Sequence, residues 1–314
     1  MSLAAGVVEC TRGGHREAVH PFSAVMVEGN AVRWQRGDDV GTFWRSASKP
    51  FQLVTSLSQL PAATVEALDE RALAVGAASH SGQEEHVALV RSLLTRFGLD
   101  ESQLQCGAHP PVHEASARAV REPTPIHNNC SGKHTFMLAA CAAQGWPLDY
   151  RAVEHPLQRA NRARLDELGG ARHEVAIDGC SVPTFFAPLS TMARAWAALA
   201  ESCGDAASLL GRVGRAMHRQ PFFVSGADRL DLLVTERASE PLTVKVGAEG
   251  LFCIARHQAR QGIAVKMHSG NADALAVAVR HVLSTLGVSL GPLDWPWATV
   301  RNVRQVAVGE RVAR

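Results

Sequence analysis

Lysine is scarce in this 314-residue chain, and its few positions are the first candidates for chemistry. Lys49, Lys133, Lys245 and Lys266 stand among 32 basic residues that are otherwise arginine. An arginine side chain stays protonated in a protein, whereas burial or a neighbouring cation can make a lysine amine neutral. We therefore expect lysine at positions of proton transfer or ligation, with chance placement as the alternative.

The Ser46-x-x-Lys49 spacing has the clearest chemical meaning. If Ser46 opens a helix, Lys49 lies one turn later on the same face, where its amine can approach the hydroxyl. A serine hydroxyl becomes a good nucleophile only when a base takes its proton, and a neutral lysine can be that base. The alternative interpretation is an N-cap serine followed by a surface lysine.

Two further positions extend this pattern. Ser79 lies where an apolar segment meets a helix start, which suggests a second hydroxyl in the same pocket; the alternative is a turn and a cap at Ser81. Lys266 lies within an apolar strand pattern, either as a partly buried amine or as an outward lysine that protects an edge strand. Lys245 has a similar setting and is interpreted as structural.

Two cysteines in glycine-containing loops suggest a metal site. Cys130 and Cys180 could ligate zinc, with a deprotonated Lys133 as third ligand and a fourth position left open. The Gly132-Lys133 pair does not complete a phosphate-binding loop, because position 127 is histidine where that motif needs glycine. A rival metal cluster is Cys106-x-x-His109-x-x-x-His113.

Composition excludes several classes of protein. A net charge of +2 is too small to attract nucleic acid or an anionic membrane through the overall field of the protein. No apolar run reaches the roughly 18 residues that a membrane span needs, and the N-terminus lacks the pattern of a signal peptide. Seven widely spaced cysteines, an odd number, argue against a disulfide scaffold and predict a reducing, cytoplasmic setting.

The elements that must position these residues alternate between strand and helix patterns. Strands near both ends with helices between them predict a mixed α/β (α+β) fold with an antiparallel sheet. The sequence shows no linker, so we expect one domain over residues 1–314, with two closely packed lobes as a further option. Ser81 to Glu84 predicts a capping box, and 72–78 fits either a strand or a helix. The other predictions are strands at 5–10, 23–34, 174–178, 242–247, 251–256 and 262–268, and helices after Ser46 as far as Leu60, at 134–144, at 189–200 and from Asn271 to about Leu286.

Six short motifs in order give the chain a family resemblance. Together they resemble the rhizobial-type, or class 3, L-asparaginase family, also called the asparaginase II family. The sequence departs from the family pattern at Ser181, where asparagine is frequent. The motifs are Arg45 to Pro50, Ala78 to Ser81, Cys106 to Pro110, Asn129 to His134, Asp178 to Thr184, and Val265-Lys266 through Gly270-Asn271.

The resemblance implies a serine β-lactamase-like fold, with an antiparallel sheet flanked by helices, and hydrolysis of L-asparagine to L-aspartate and ammonia. It also implies a homodimer and a zinc site. In this sequence the implied serine–lysine pairs are Ser46 with Lys49 and Ser79 with Lys266, the zinc ligands are Cys130, Lys133 and Cys180, and the substrate-binding positions are Arg45, His109 and Asp178.

The expected mechanism is acyl transfer. Ser46, deprotonated through Lys49, would attack the side-chain amide of asparagine, and water would hydrolyse the resulting β-aspartyl ester while Ser79 and Lys266 relay protons. One alternative is a penicillin-binding or β-lactamase-type hydrolase, whose first motif is also Ser-x-x-Lys. Another is a non-catalytic protein that binds zinc or a ligand on the same fold.

Overall fold

In the computed structural model, which describes residues 3–291 and 294–314, strands occupy both ends of the chain and helices its middle. The strands are β1 (Gly6–Arg12), β2 (His15–Glu28), β3 (Ala31–Arg36), β4 (Gly41–Phe43), β5 (Glu174–Ile177), β6 (Pro183–Pro188), β7 (Leu242–Gly247), β8 (Leu251–Arg256), β9 (Gln261–Met267), β10 (Thr299–Arg301) and β11 (Ala307–Ala313). The helices are α1 (Lys49–Leu57), α2 (Ala62–Glu66), α3 (Glu70–Gly76), α4 (Glu84–Arg96), α5 (Glu114–Ala119), α6 (Ser131–Gln144), α7 (Pro156–Gly169), α8 (Leu189–Ser202), α9 (Leu209–Arg219), α10 (Pro221–Ser225), α11 (Leu230–Arg237) and α12 (Ala272–Thr285). The predicted mixed α/β class is confirmed.

The chain divides into two compact units, and the first is built on an antiparallel sheet. This unit comprises Met1–Ala47, Ala187–Glu201 and Val234–Arg314. Its strand order is β10-β11-β1-β2-β9-β8-β7, and β3 pairs with β2. Helix α12 packs on β9, β1 and β2, and α8 approaches β9 so closely that a Cβ at Gly262 would lie 2.0 Å from the Ala193 carbonyl oxygen.

The second unit, Ser48–Phe186 with Ser202–Leu233, is mainly helical. Helices α1, α3 and α6 pack closely at its centre. A Cβ at Gly76 of α3 would lie 2.7 Å from the Phe136 ring and 2.8 Å from Leu53, so glycine is what allows this approach. Strands β5 and β6 form an antiparallel pair with Val175 opposite Phe185.

Most predicted elements occur with shifted ends. The Gly13-Gly14 turn joins β1 to β2, and Gly145 ends α6 with a left-handed φ of 65°. The Asn271 side chain caps α12 as predicted, by accepting from the Ala274 N–H at 2.8 Å. The helix after Ser46 begins as a 3₁₀ turn and ends at Leu57, short of Leu60.

The structure decides two predictions about local structure, one at Ser81 and one at residues 72–78. The capping box at Ser81 is wrong: α4 begins after Gln83, and the Ser81 hydroxyl instead donates to the Ser225 carbonyl at 2.5 Å. The ambiguous segment 72–78 falls largely in helix α3 and forms no strand. A long-range contact therefore outweighed the local capping signal.

The two lysines of the sheet are placed by their strands. Lys266 lies on β9, between β2 and β8, so the edge-strand alternative is wrong. Lys245 on β7 has no exposed surface, and it lies opposite Cys253 of β8 while its amine donates to the Val246 carbonyl at 3.0 Å. No helix within residues 3–291 and 294–314 is long and apolar enough to cross a membrane.

Candidate functional site

Lys49 and Ser79 are in direct contact in the second unit. Lys49 is the first residue of α1 and is 1% exposed. Its amine donates to Ser79 Oγ at 2.8 Å and to the Ala78 carbonyl at 2.6 Å. The Ser79 N–H donates to the Val224 carbonyl, which fixes the backbone at this point. Because an amine that contacts a hydroxyl can exchange a proton with it, the pair has the geometry of a base and its hydroxyl.

His80 ties the Ser79 segment to the loop that precedes α6. The Gly82 N–H donates to His80 Nδ1 at 3.2 Å, so the ring proton lies on Nε2. That Nε2–H donates to Ser131 Oγ at 2.9 Å, and the Ser131 hydroxyl donates to the Ile126 carbonyl at 2.8 Å. The backbone N–H of His80 also donates to the Asn129 carbonyl. These bonds fix the Ser79 segment against the loop that precedes α6.

The imidazole of His80 is neutral at physiological pH. The side chain is fully buried, and burial, reinforced by the charges of His86 and Lys49, holds the pKa of His80 well below its usual value. Its ring stacks on His86 with centroids 5.2 Å apart. His80 therefore acts as a fixed donor and acceptor. The sequence motif alone left its role open.

The three predicted zinc ligands come together in the same unit. Cys130 precedes α6, Lys133 lies in its first turn, and Cys180 lies in the turn between β5 and β6. All three are buried, with exposures of 5%, 3% and 5% respectively. The Lys133 ammonium donates to Cys180 Sγ at 3.1 Å, and the two thiols share a hydrogen bond.

The charged groups of this cluster shift one another's pKa values. The hydrogen bond from Cys180 lowers the pKa of Cys130 well below its usual value, against the effect of burial, and the same bond raises the pKa of Cys180. Burial acts to lower the pKa of Lys133, but the negative charges of Cys180, Cys130 and Asp178 outweigh it and raise that pKa. The positive end of the α6 dipole adds to the stability of a Cys130 thiolate.

Lys49 joins the serine to the thiol cluster. The charges of Lys49 and Lys133 both lower the pKa of Cys130, and a side-chain hydrogen bond from Lys49 adds a smaller effect in the same direction. Ser79, Lys49, Cys130, Lys133 and Cys180 therefore form one contiguous buried polar cluster. The contact between Lys49 and Cys130 had no signal in the sequence, because the two residues are far apart in the chain.

The residues present fit a zinc ion. Two thiols and an amine converge, and these are donor types that zinc accepts, although the amine would first have to release a proton. No group of three or more His, Cys, Asp or Glu side chains in the described part of the chain is arranged to hold a metal, so the donor set depends on Lys133.

Asp178 lies in the turn that carries Cys180. Its N–H donates to the Val182 carbonyl at 2.8 Å, and its carboxylate accepts from the Gly179 N–H at 2.7 Å. Ser181 adopts a left-handed φ of 73°, a conformation that asparagine and glycine tolerate better. The family asparagine at this position would therefore suit the turn better than serine does.

His109 and the rival metal cluster are not assembled. His109 is exposed, and its Nδ1 faces the carbonyl of its own neighbour Pro110 at 2.5 Å. His113 caps α5, and the Cys106 thiol donates to the Pro125 carbonyl at 3.3 Å. Burial raises the pKa of Cys106 to about 12, so this thiol stays protonated.

The remaining predicted site residues lie in the first unit. Ser46 is half-buried in the 3₁₀ turn Arg45–Ser48, and Arg45 has a left-handed φ of 45°, which costs conformational energy in a residue other than glycine. The Lys266 amine donates to the Glu249 carbonyl and, at 3.2 Å, to the Met267 carbonyl. Burial lowers the pKa of Lys266, with a smaller opposing effect of Glu249. The predicted pairing of Ser79 with Lys266 stays a prediction.

Comparison with known proteins gives one family and one set of distant structures. The sequence model of the L-asparaginase II family matches residues 8–312. A search of curated proteins found no match. The solved structure of Mglu in its native form is 15% identical with a TM-score of 0.49, covering 87% of this chain and 66% of that chain. Mglu in its glutamate form is 16% identical with a TM-score of 0.49, covering 87% and 62%. This chain spans less than two thirds of the length of either structure.

Proposed function

We propose that this chain, which belongs to the L-asparaginase II family, hydrolyses L-asparagine to L-aspartate and ammonia by serine–lysine catalysis. Family membership suggests L-asparaginase activity and implies a hydrolase that acts on amides. The observation that carries the finer proposal is the buried contact of Lys49 Nζ with Ser79 Oγ. This contact places an amine beside a hydroxyl within the two motifs that resemble the catalytic motifs of the family.

The proposed reaction forms and then hydrolyses an ester. The Ser46 oxygen attacks the side-chain amide carbon of asparagine, and its proton passes to the neutral amine of Lys49. That proton then goes to the leaving nitrogen, so that ammonia departs and a β-aspartyl ester remains. Water attacks the ester carbonyl in the second step and regenerates the serine hydroxyl with release of L-aspartate.

The contact between Lys49 and Ser79 gives Ser79 a defined role in this scheme. Because Lys49 donates to Ser79 Oγ at 2.8 Å, a proton can move between them without rearrangement. We propose Ser79 as the relay, with Lys266 as its second partner, while acylation of Ser79 itself is the alternative that the serine variants below distinguish. Backbone N–H groups near either serine would stabilise the oxyanion, typically by about 3 kcal/mol for one donor.

Substrate recognition is proposed for the three positions that the family resemblance implies. We propose that Arg45 and His109 bind carboxylate oxygens and that Asp178 binds the α-ammonium group of asparagine. The effect of Asp178 on the pKa of Lys133 supports a position for its carboxylate near the buried cluster. Arg45 and Asp178 also neighbour Ser46 and Cys180 in sequence.

Zinc is proposed as a bound ion held by Cys130, Lys133 and Cys180. Zinc would supply a Lewis-acidic centre that holds polar groups of the substrate or orders the pocket. The burial of all three side chains and their mutual hydrogen bonds support this donor set. The nucleophile remains a serine hydroxyl.

The class 3, rhizobial subtype and its serine β-lactamase-like fold are also proposed, together with a homodimer in the cytoplasm. The ordered motifs support the subtype, and the antiparallel sheet with helices packed on it is compatible with that fold. The cytoplasmic location is proposed from the odd number and wide spacing of the seven cysteines.

The test is ammonia release from L-asparagine and from L-glutamine by metal-stripped and zinc-restored protein. We expect release from asparagine well above that from glutamine, with zinc changing its extent. A folded protein that binds zinc but releases no ammonia from asparagine in either form would contradict the proposal. Covalent labelling by a fluorescent β-lactam with no asparagine turnover would instead support a penicillin-binding type of hydrolase.

A further inference from the structure

A cavity of about 340 Å³ lies in the second unit against α7 and the β5–β6 pair. None of the predicted site residues lines it, so the proposed reaction leaves it unexplained. Its lining combines charges of both signs with an apolar floor. The residues used below are Glu154, Arg159, Arg162, Asp166, Arg172 and Phe185.

The arginines converge because of the helix period. Arg159, Arg162 and Asp166 follow one another at spacings of three and four on α7, which places them on one face. Glu154 lies just before the helix starts, and Arg172 lies between the helix and β5. Three positive and two negative side chains give the cavity a local charge of about +1.

Two of these charges are already partnered and three are available. Arg162 donates to the His173 carbonyl at 2.5 Å and lies 4.0 Å from the Asp166 carboxylate. Among residues 3–291 and 294–314, no side-chain hydrogen bond or ion pair engages Arg159, Arg172 or Glu154, and all three are exposed. The cavity therefore offers two guanidinium groups and one carboxylate to a ligand.

The floor of the cavity is apolar. Val175, Pro183 and Phe185 supply its apolar side chains; Val175 is half-buried and the other two are buried, so the apolar surface is small. A ligand with a short hydrocarbon body would cover this surface while its charged groups reach the rim. Small-molecule sites commonly combine such an apolar wall with a few placed polar groups.

We propose that this cavity binds an acidic amino acid, with L-aspartate as the simplest example. Two carboxylates match Arg159 and Arg172, an α-ammonium matches Glu154, and the net charge of −1 complements the cavity. Strands β5 and β6, which supply the floor, also carry the turn with Asp178 and Cys180. A ligand bound in the cavity is therefore expected to affect that turn and, through it, turnover. The effect on turnover rests on the proposed function, but the binding does not.

The test is isothermal titration calorimetry of the full chain with L-aspartate and with succinate, which has both carboxylates but no ammonium. The R159Q/R172Q double variant should weaken aspartate binding at the cavity at least about tenfold, because charge-assisted hydrogen bonds are lost. Glu154→Gln should remove the preference for aspartate over succinate. Arg118→Gln, an exposed arginine paired with Glu114, should bind as the wild type does.

Aspartate binding in the reaction site is separated by Arg45→Gln, because Arg45 is proposed to bind a carboxylate there and does not line the cavity. This variant should keep the binding that R159Q/R172Q weakens. Absence of aspartate binding in the wild type, or equal binding by the double variant, would overturn the proposal. Equal affinity for aspartate, succinate and inorganic phosphate would show only a general attraction for anions and would overturn it too. Cavity binding without ammonia release from asparagine would support this site while contradicting the proposed reaction. Thermal unfolding of each variant checks that it is folded.

Discussion

Replacement of Lys49 by methionine tests the role of the amine at the centre of the buried cluster. The change keeps a long unbranched side chain at a position that is 1% exposed. It removes the donor to Ser79 Oγ at 2.8 Å and to the Ala78 carbonyl at 2.6 Å. The hydroxyl of Ser79 can turn to another partner, but the Ala78 carbonyl cannot.

The expected loss of stability is small and the expected loss of activity is large. An unpaired buried carbonyl costs about 1–3 kcal/mol, and replacement of a buried polar amine by an apolar side chain offsets part of that cost. We therefore expect the free energy of unfolding to fall by about 1 kcal/mol. Loss of a general base typically reduces turnover by 10²–10⁴-fold, and we expect about 10³-fold for Lys49→Met.

The assay is steady-state ammonia release from asparagine, with urea unfolding measured on the same samples. Lys49→Arg keeps a long side chain with N–H donors, but its guanidinium stays protonated and cannot supply a neutral nitrogen, so it should be as inactive as Lys49→Met. Lys245→Met, which removes the other fully buried lysine, is the matched control and should keep turnover if it folds. Retention of more than about one tenth of wild-type turnover by either Lys49 variant would refute a base role.

Three further outcomes are expected. Ser181→Asn should raise the free energy of unfolding by roughly 0.5–1 kcal/mol, because asparagine adopts a φ of 73° more readily than serine; equal or lower stability in urea unfolding would contradict this. Burial, with the charges of His86 and Lys49, lowers the folded pKa of His80, so at this residue only the unfolded state gains a proton as pH falls below about 6.5. His80 should therefore contribute a loss of stability of about 1.4 kcal/mol per pH unit towards its lower folded pKa. His80→Gln should reduce this slope between pH 7.5 and 5.5, and an unchanged slope would count against the assignment. Cys180→Ser should lower the zinc content measured by elemental analysis after dialysis, and wild-type zinc content in that variant would argue against the proposed ligand set.

Local signals in the sequence predicted elements well where the stabilising contact is also local. Asn271 caps α12 by bonding three residues ahead, and Gly145 ends α6 through its own φ. Ser81 failed as a cap because its hydroxyl bonds to Ser225, which is 144 residues away. No window of sequence around Ser81 contains that partner.

The candidate site shows the same difference between local signals and long-range contacts. The serine and lysine motifs could be identified from residue type and spacing, and the resemblance grouped Cys130, Lys133 and Cys180. The contact of Lys49 with Ser79, 30 residues apart, depends on how α1 and α3 pack, which spacing cannot give. The bonding of His80 to Ser131 likewise required the three-dimensional structure.

Trapping of the acyl-enzyme tests the central claim most directly. The full chain is mixed with L-asparagine in the presence of hydroxylamine, which captures an acyl-enzyme as β-aspartyl hydroxamate, and Ser46→Ala, Ser79→Ala and Ser56→Ala are compared. Ser56 is a buried serine of α1 whose hydroxyl bonds to the Gln52 carbonyl, so its variant is a matched control. We predict hydroxamate and ammonia from the wild type and Ser56→Ala, none from Ser46→Ala, and strongly reduced amounts from Ser79→Ala. Wild-type turnover by both Ser46→Ala and Ser79→Ala would contradict serine–lysine catalysis, and formation of hydroxamate by Ser46→Ala but not by Ser79→Ala would move the nucleophile to Ser79.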